Sequence, residues 1–237
     1  MNSSRVVLLV LGALLVPASA SADHKPGHAG GGGGQGGATT ISALDAKPIP
    51  VVFGSPTTLS GTLSGTARSG VTVRLEADTT RPYGNAYKPV TTPAGAPLTA
   101  TSQQNGRFTF SVKPLVNTQY RAVAQASPPV TSAPRLVLVR THVGFLVSDS
   151  TPAAGSLVRF RGTVRPAHDG RTALIQRRSP AGRFVTVART TLRDAGTTFS
   201  SYSRRIRVNR SGVYRVKVAG DADHVNGFSR TRTLTVG

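Results

Sequence analysis

The densest group of side chains able to do chemistry is the run DADHVN, Asp221–Asn226. Aspartates two residues apart can offer carboxylates to a hard cation such as Ca²⁺. The run lacks the glycine and the distal Glu of a known calcium loop, and Asp and Asn favour turns in their own right. His142 stands near the middle of the chain, and His168 and His224 stand among turn residues. The remaining acids are few: Asp45, Glu76 and Asp78 in one half, then Asp149, Asp169 and Asp194 in the other. No Ser–His–Asp order, paired-carboxylate motif, phosphate loop or zinc spacing occurs. The chain has no Cys, which removes thiol chemistry and Cys-bound zinc. The expectation is a protein that is not an enzyme, with no metal and no cofactor. No three of these His, Asp and Glu side chains are expected within hydrogen-bond reach of one another.

Positive charge is the stronger signal. The 237 residues carry a formal net charge of +20. Residues 39–141 hold +7 of it and residues 142–237 hold +12. The excess follows a pattern. In LVRFRGTVR, Val158, Phe160 and Val164 alternate with Arg159, Arg161 and Arg165. In RRIRV, Ile206 and Val208 alternate with Arg205 and Arg207. In a strand, alternate residues face opposite sides, so apolar residues facing in put these five arginines outside. The corresponding stretch of the first half, TTLSGTL, has no charge.

The elements that must position these residues read as strands. Val71, Val73 and Leu75 alternate with polar neighbours, as do Phe108, Phe110 and Val112, and Tyr214, Val216 and Val218. Period two marks half-buried strands. Asn105-Gly106 reads as a hairpin turn between two of them. Sixteen Pro and 26 Gly argue against helices.

The pattern is written twice. Gly54 and Gly61 are seven apart, as are Gly155 and Gly162. Gly70 and Gly170 each open a strand, and Phe108–Tyr120 aligns with Tyr202–Tyr214 without a gap. Two copies of this kind predict tandem domains at 39–141 and 142–237. From Gly70 to Tyr120 is six residues longer than from Gly170 to Tyr214, so the first copy carries a longer loop before its Phe108 strand. Seven or so short strands per copy fit an all-β antiparallel sandwich. Tyr120 follows PLVNTQ and Tyr214 follows NRSGV, where a tyrosine corner would bond its hydroxyl back to the loop backbone.

With these motifs, residues 39–237 resemble tandem immunoglobulin-like or fibronectin-III-like modules of exported bacterial proteins. The resemblance rests on the Gly-Ser-to-Gly-Thr strand, on NTQYRAVA and GVYRVKVA, and on the closing strands. It departs from antibody domains, because there is neither a Cys pair nor a Trp. Phe53, Phe160 and Phe184 are the candidates to fill the space of a core Trp. The resemblance implies a spacer, adhesive or accessory-binding role outside the cell.

The N-terminus fits that location. Arg5, the apolar run Val6–Val16, and Ala20-Ser21-Ala22 form an export signal over 1–22. Residues 23–38 form a Gly-rich tether expected to be disordered. No membrane span is expected once the signal is cleaved, so the protein is placed as secreted or held non-covalently at the cell surface. Two functions fit. One is a binding module whose basic face holds an anionic polysaccharide or teichoic acid. Nucleic acid is disfavoured as the natural ligand, because exposed aromatics for base stacking are few. The other is a passive spacer whose arginines serve solubility.

Overall fold

The structure is a computed structural model that describes residues 37–237. The export signal at 1–22 and the tether up to Gly36 lie outside the described residues. The last two tether residues do not: the Gly37 carbonyl accepts from the Thr66 main-chain N–H at 3.3 Å and from its hydroxyl at 3.1 Å. Every regular element among the described residues is a strand, and no helix there is long and apolar enough to cross a membrane.

Twelve strands run from Thr40 to Arg140. In chain order they are β1 (Thr40–Ile41), β2 (Asp45–Lys47), β3 (Val51–Val52), β4 (Thr57–Ser64), β5 (Thr72–Asp78) and β6 (Lys88–Pro89). Then come β7 (Thr99–Thr101), β8 (Arg107–Val112), β9 (Thr118–Ala124), β10 (Val130–Thr131), β11 (Arg135–Val137) and β12 (Val139–Arg140). One sheet sets β1, β2 and β8 on β4. The other sets β6, β7 and β9 on β5, with β10 and β11 beyond β9. A short parallel pair joins β3 to β12.

The arrangement then repeats. The later strands are β13 (His142–Val143), β14 (Leu146–Val147), β15 (Ser156–Arg165), β16 (Thr172–Arg178) and β17 (Phe184–Thr191). They continue as β18 (Arg193–Asp194), β19 (Ser200–Val208), β20 (Gly212–Val218), β21 (Gly227–Phe228) and β22 (Arg232–Leu234). Strands β15 and β19 pair as β4 and β8 do, and β16 and β20 pair as β5 and β9 do.

Alternation explains why these segments fold this way. In β8, Phe108, Phe110 and Val112 are buried while Arg107, Thr109 and Ser111 are exposed. Each unit closes its own apolar core. The first is built from Leu44 to Val139, the second from Val143 to Leu234. Phe160 is fully buried, and its ring lies 5.7 Å from Phe145 and 5.3 Å from Tyr214. A side chain of that size stabilises by about 1.5–3 kcal/mol when buried. Of the three candidates for core space, Phe160 fills it in the second unit and the half-buried Phe53 packs against the first core. Phe184 lies under the Arg215 guanidinium at 3.9 Å, and Phe53 packs edge-on against His224.

The repeated glycines have a packing reason. Gly61 pairs with Phe108, and Gly162 with Tyr202. A Cβ at Gly61 would run into the Phe108 ring, and one at Gly162 would run into the Gly144 carbonyl oxygen and the Tyr202 hydroxyl. The aromatic ring occupies the space that the missing side chain leaves. Gly70 and Gly170 sit at φ +71° and +78°, a left-handed conformation that suits glycine at each strand entry.

Asn105-Gly106 forms a tight reversal, in which the Gln103 N–H donates to the Arg107 carbonyl and the Gly106 N–H to the Gln103 carbonyl, each at 2.8 Å, but it does not join β7 and β8 as a hairpin. Strand β7 pairs with β5 and β8 pairs with β4, so this turn carries the chain from one sheet to the other. Its Gly106 carbonyl accepts from the Leu63 N–H at 2.9 Å, which ties the turn to the end of β4. The extra length of the first unit lies in the segment around β6. Buried Asp78 accepts there from the main-chain N–H groups of Thr80, Gly84 and Ala86 at 2.9, 2.7 and 3.1 Å.

Candidate functional site

The outer face of the β15–β19 ladder carries the arginine pattern. Arg159 stands directly opposite Arg205, Arg207 opposite Leu157, and Arg161 opposite Ser203. Arg165 ends the strand opposite His142, with its guanidinium 4.8 Å from the Phe199 ring centre. All five arginines are exposed. None makes an ion pair with an acid among the described residues. Arg207 donates to the Gly155 carbonyl at 2.7 Å, so its guanidinium is partly committed to its own loop. Like charges facing across a ladder are destabilising.

Arg193, on edge strand β18, joins this face. It pairs with Ser201 and lines a groove of about 670 Å³ together with Arg159, Arg161 and Ser203. A second groove of about 600 Å³ is lined by Arg159, Arg161, Arg205, Leu157 and Ser148. Arg159 and Arg161 therefore form a wall common to two concavities. The matching face of the first unit pairs Thr58 with Ser111, Ser60 with Thr109 and Thr62 with Arg107. Those strands expose hydroxyls and a single cation.

Tyr120 and Tyr214 lie at the third position of β9 and β20, both buried. Among the described residues, neither hydroxyl bonds the upstream loop backbone. Burial pushes the Tyr120 hydroxyl up to about 12, partly offset by the Thr118 hydroxyl, which itself donates to the Val116 carbonyl at 2.7 Å. Two other tyrosines do reach main chain: Tyr202 donates to the Gly144 carbonyl at 2.6 Å, and Tyr83 to the Asn117 carbonyl at 3.3 Å. The repeat aligns Tyr202 with Phe108, so its hydroxyl belongs to the second unit alone.

A second constellation lies where the units meet. The loop before β21 folds onto the loop between β8 and β9. Asn117 donates through its main chain to the Asp223 carbonyl at 2.8 Å and through its amide to the Ala222 carbonyl at 3.4 Å. Its side-chain oxygen accepts from the buried Val139 N–H at 2.8 Å. His168, from the loop after β15, sits inside this junction. Its Nε2 is 2.9 Å from Asp221 Oδ2 and its Nδ1 is 2.8 Å from the Pro166 carbonyl. His224 Nδ1 is 3.2 Å from Asp221 Oδ1, and its Nε2 is 2.8 Å from the Leu115 carbonyl of the first unit. Both imidazoles are buried, with Arg171 at 3.4 Å from Asp221 Oδ2. Burial works against the Asp221 carboxylate. The N–H groups of Asp223 and His224 and the His224 ring overcome it and hold the carboxyl below its usual range.

This cluster corrects the expectation that no three His, Asp and Glu side chains gather. His168 and Asp221 are 53 residues apart, and no spacing motif links them. All four ring nitrogens already face an oxygen. Ser200, whose hydroxyl accepts from the His168 N–H at 2.6 Å, is fully buried. Neither a free imidazole base nor an exposed hydroxyl nucleophile is presented there.

Fold and site together define the class: an all-β protein of repeated two-sheet units, one of which bears a basic outer face. No family model matches the chain, and no curated protein matches it. Among solved structures, a tetra-tandem repeat from the extending region of a large adhesion protein is similar to it. The likeness covers 83% of this chain and 49% of that one, at 17% identity and a TM-score of 0.33. The chain thus spans about half the length of that structure.

Proposed function

We propose that the protein is an exported, non-catalytic binding module made of two tandem immunoglobulin-like sandwiches, residues 39–141 and 142–237. The second sandwich holds an anionic cell-wall or extracellular polymer, such as a teichoic acid or an acidic polysaccharide. The protein acts as a secreted or surface-associated adhesion component. The observation that carries this reading is Arg159 opposite Arg205, flanked by Arg161 and Arg193, with no ion pair to an acid among the described residues. Four guanidinium groups beside two adjoining grooves are offset most simply by an anion from outside. Repeated phosphate or carboxylate groups fit such forks.

A passive spacer is the second reading, and two of the arginines favour it. Arg207 bonds its own loop and Arg165 rests on Phe199, so both have structural work to do. Binding of the whole protein to immobilised teichoic acid and to polygalacturonate separates the readings. Affinity is expected to fall about tenfold or more between ~50 and ~200 mM salt, because counterion release drives binding and is less favourable into more concentrated salt. Replacing Arg159, Arg161, Arg193 and Arg205 by Ser should abolish binding and leave the fold intact. Equal binding by that variant would remove this face from the function. No binding by the wild type to either polymer would favour the spacer.

A further inference from the structure

We propose that His168, Asp221 and His224 form a three-ligand site for a divalent ion of the zinc type, set in the junction between the two units. The site lies apart from the arginine face and does not depend on it. Nitrogen chemistry comes first. A ring nitrogen 2.8 Å from a carbonyl oxygen must carry its proton, since a carbonyl only accepts. That fixes N–H at His168 Nδ1, against Pro166, and at His224 Nε2, against Leu115. In the neutral rings the remaining nitrogens, His168 Nε2 and His224 Nδ1, are then lone pairs. Both point at the carboxylate of Asp221, at 2.9 and 3.2 Å. Two imidazole nitrogens and one carboxylate thus converge on a single, largely buried place.

The two rings lie edge to face, with centres 5.4 Å apart, and both are buried. One divalent ion satisfies all three groups at once. Zinc binds imidazole nitrogen and carboxylate oxygen at about 2.0–2.2 Å, so its ligand atoms stand about 3.4 Å from one another. The three ligand atoms here already lie within 4.8 Å of one another. The surroundings also match those of a metal-binding histidine, whose second nitrogen ordinarily donates to a backbone carbonyl or carboxylate. Both histidines do that here. Two imidazoles with one carboxylate favour zinc and its neighbours over calcium or magnesium, which prefer all-oxygen shells. Asp221 is the most open of the three ligands, which leaves one position of a tetrahedral ion for water.

Arg171 is the competitor. Its Nη1 lies 3.4 Å from Asp221 Oδ2, and it also spans 3.3 Å to the Gly220 carbonyl and 3.4 Å to that of Ala219. Its side chain is 41% exposed, so it can leave the carboxylate for solvent without unfolding anything. The ion would also tie the units together. His224 reaches Leu115 of the first unit with the nitrogen opposite its metal-binding one, so fixing the ring fixes that contact.

The test uses the whole protein with His24, His28 and His142 replaced by Gln, so that no other histidine contributes. Titration with Zn²⁺ alone should give one bound equivalent and a higher melting temperature. Co²⁺ should give the visible absorption of a four-coordinate nitrogen–oxygen site. H168Q and H224Q should each weaken binding about tenfold or more, with circular dichroism confirming the fold. R171Q should bind severalfold more tightly, an effect that a purely structural Asp221 would not produce. No stoichiometric binding by the parent would overturn the site, as would affinity unchanged in both histidine variants. An R171Q affinity no tighter than the parent's would remove Asp221 from the ligand set and overturn it too.

Discussion

Gly162 lies directly across the ladder from Tyr202, whose hydroxyl donates to the Gly144 carbonyl at 2.6 Å. A Cβ on Gly162 would strike both that carbonyl oxygen and the hydroxyl. Gly162→Ala should therefore destabilise the second unit by about 1–3 kcal/mol through overpacking. Tyr202→Phe leaves the carbonyl unpaired and should cost about 1–3 kcal/mol. The double variant should cost less than the sum, because removing the hydroxyl removes one of the two clashes. Urea unfolding of the four proteins gives the coupling directly.

Glu76 makes the first unit sensitive to acid. Burial raises its pKa, but hydrogen bonds from Arg121 and Arg74, each at 2.7 Å, overcome burial and hold it below the ordinary value of 4.5. A lowered folded pKa contributes stability that is present above the unfolded value and is lost as pH falls through the folded one. Stability should thus decline below about pH 4.5. The decline should be shallower in Glu76→Gln when melting temperature is followed from neutral to acid pH. At neutral pH, Arg121→Ala should cost about 1–3 kcal/mol by leaving the buried carboxylate short of a partner.

Asp78 anchors the segment that lengthens the first unit. Asp78→Ala frees the N–H groups of Thr80, Gly84 and Ala86 together. Limited proteolysis should then cut within residues 80–97 much earlier than in the wild type, while the β4–β8 ladder stays protected from hydrogen exchange. Equal cleavage rates would show that the segment is held by other contacts.

Asn117 should matter to both units. Asn117→Ala leaves the buried Val139 N–H without its acceptor and removes the amide donor to Ala222. A loss of about 1–3 kcal/mol is expected. Calorimetry should resolve two transitions further apart than in the wild type, because the first unit loses support from the junction.

Most of the scaffold was legible in the chain because two periods govern it. Alternation of apolar and polar residues marked β5, β8, β15 and β20, and the seven-residue glycine spacing marked β4 and β15 as equivalent. The outward positions of Arg159, Arg161, Arg205 and Arg207 followed from the same alternation. Arg193 was hidden because β18 is only two residues long, too short to show any period. His168 was hidden because the loop after β15 meets Asp221, 53 residues later, only through folding. Asn105-Gly106 marked the reversal, but turn residues do not say which sheet the next strand joins. Tyr120 and Tyr214 were read by position, but a hydroxyl bond depends on which carbonyl a ring can reach. Gly144 brings one within range of Tyr202.

The bonds around Asn117 also decide how the molecule would carry tension. One side chain grips Val139, at the exit of the first unit, while the same residue's main chain grips Asp223 in the second. Parallel pairing of β3 with β12 and the Val225 N–H bond to the Val139 carbonyl, at 2.8 Å, lie beside it. A pull on the two ends would load these bonds before either core is sheared. The junction would then yield first, over a short extension, and act as a sacrificial link that closes again when the load is released. Single-molecule stretching should show this early low-force event. It should vanish in Asn117→Ala while the two unfolding peaks remain.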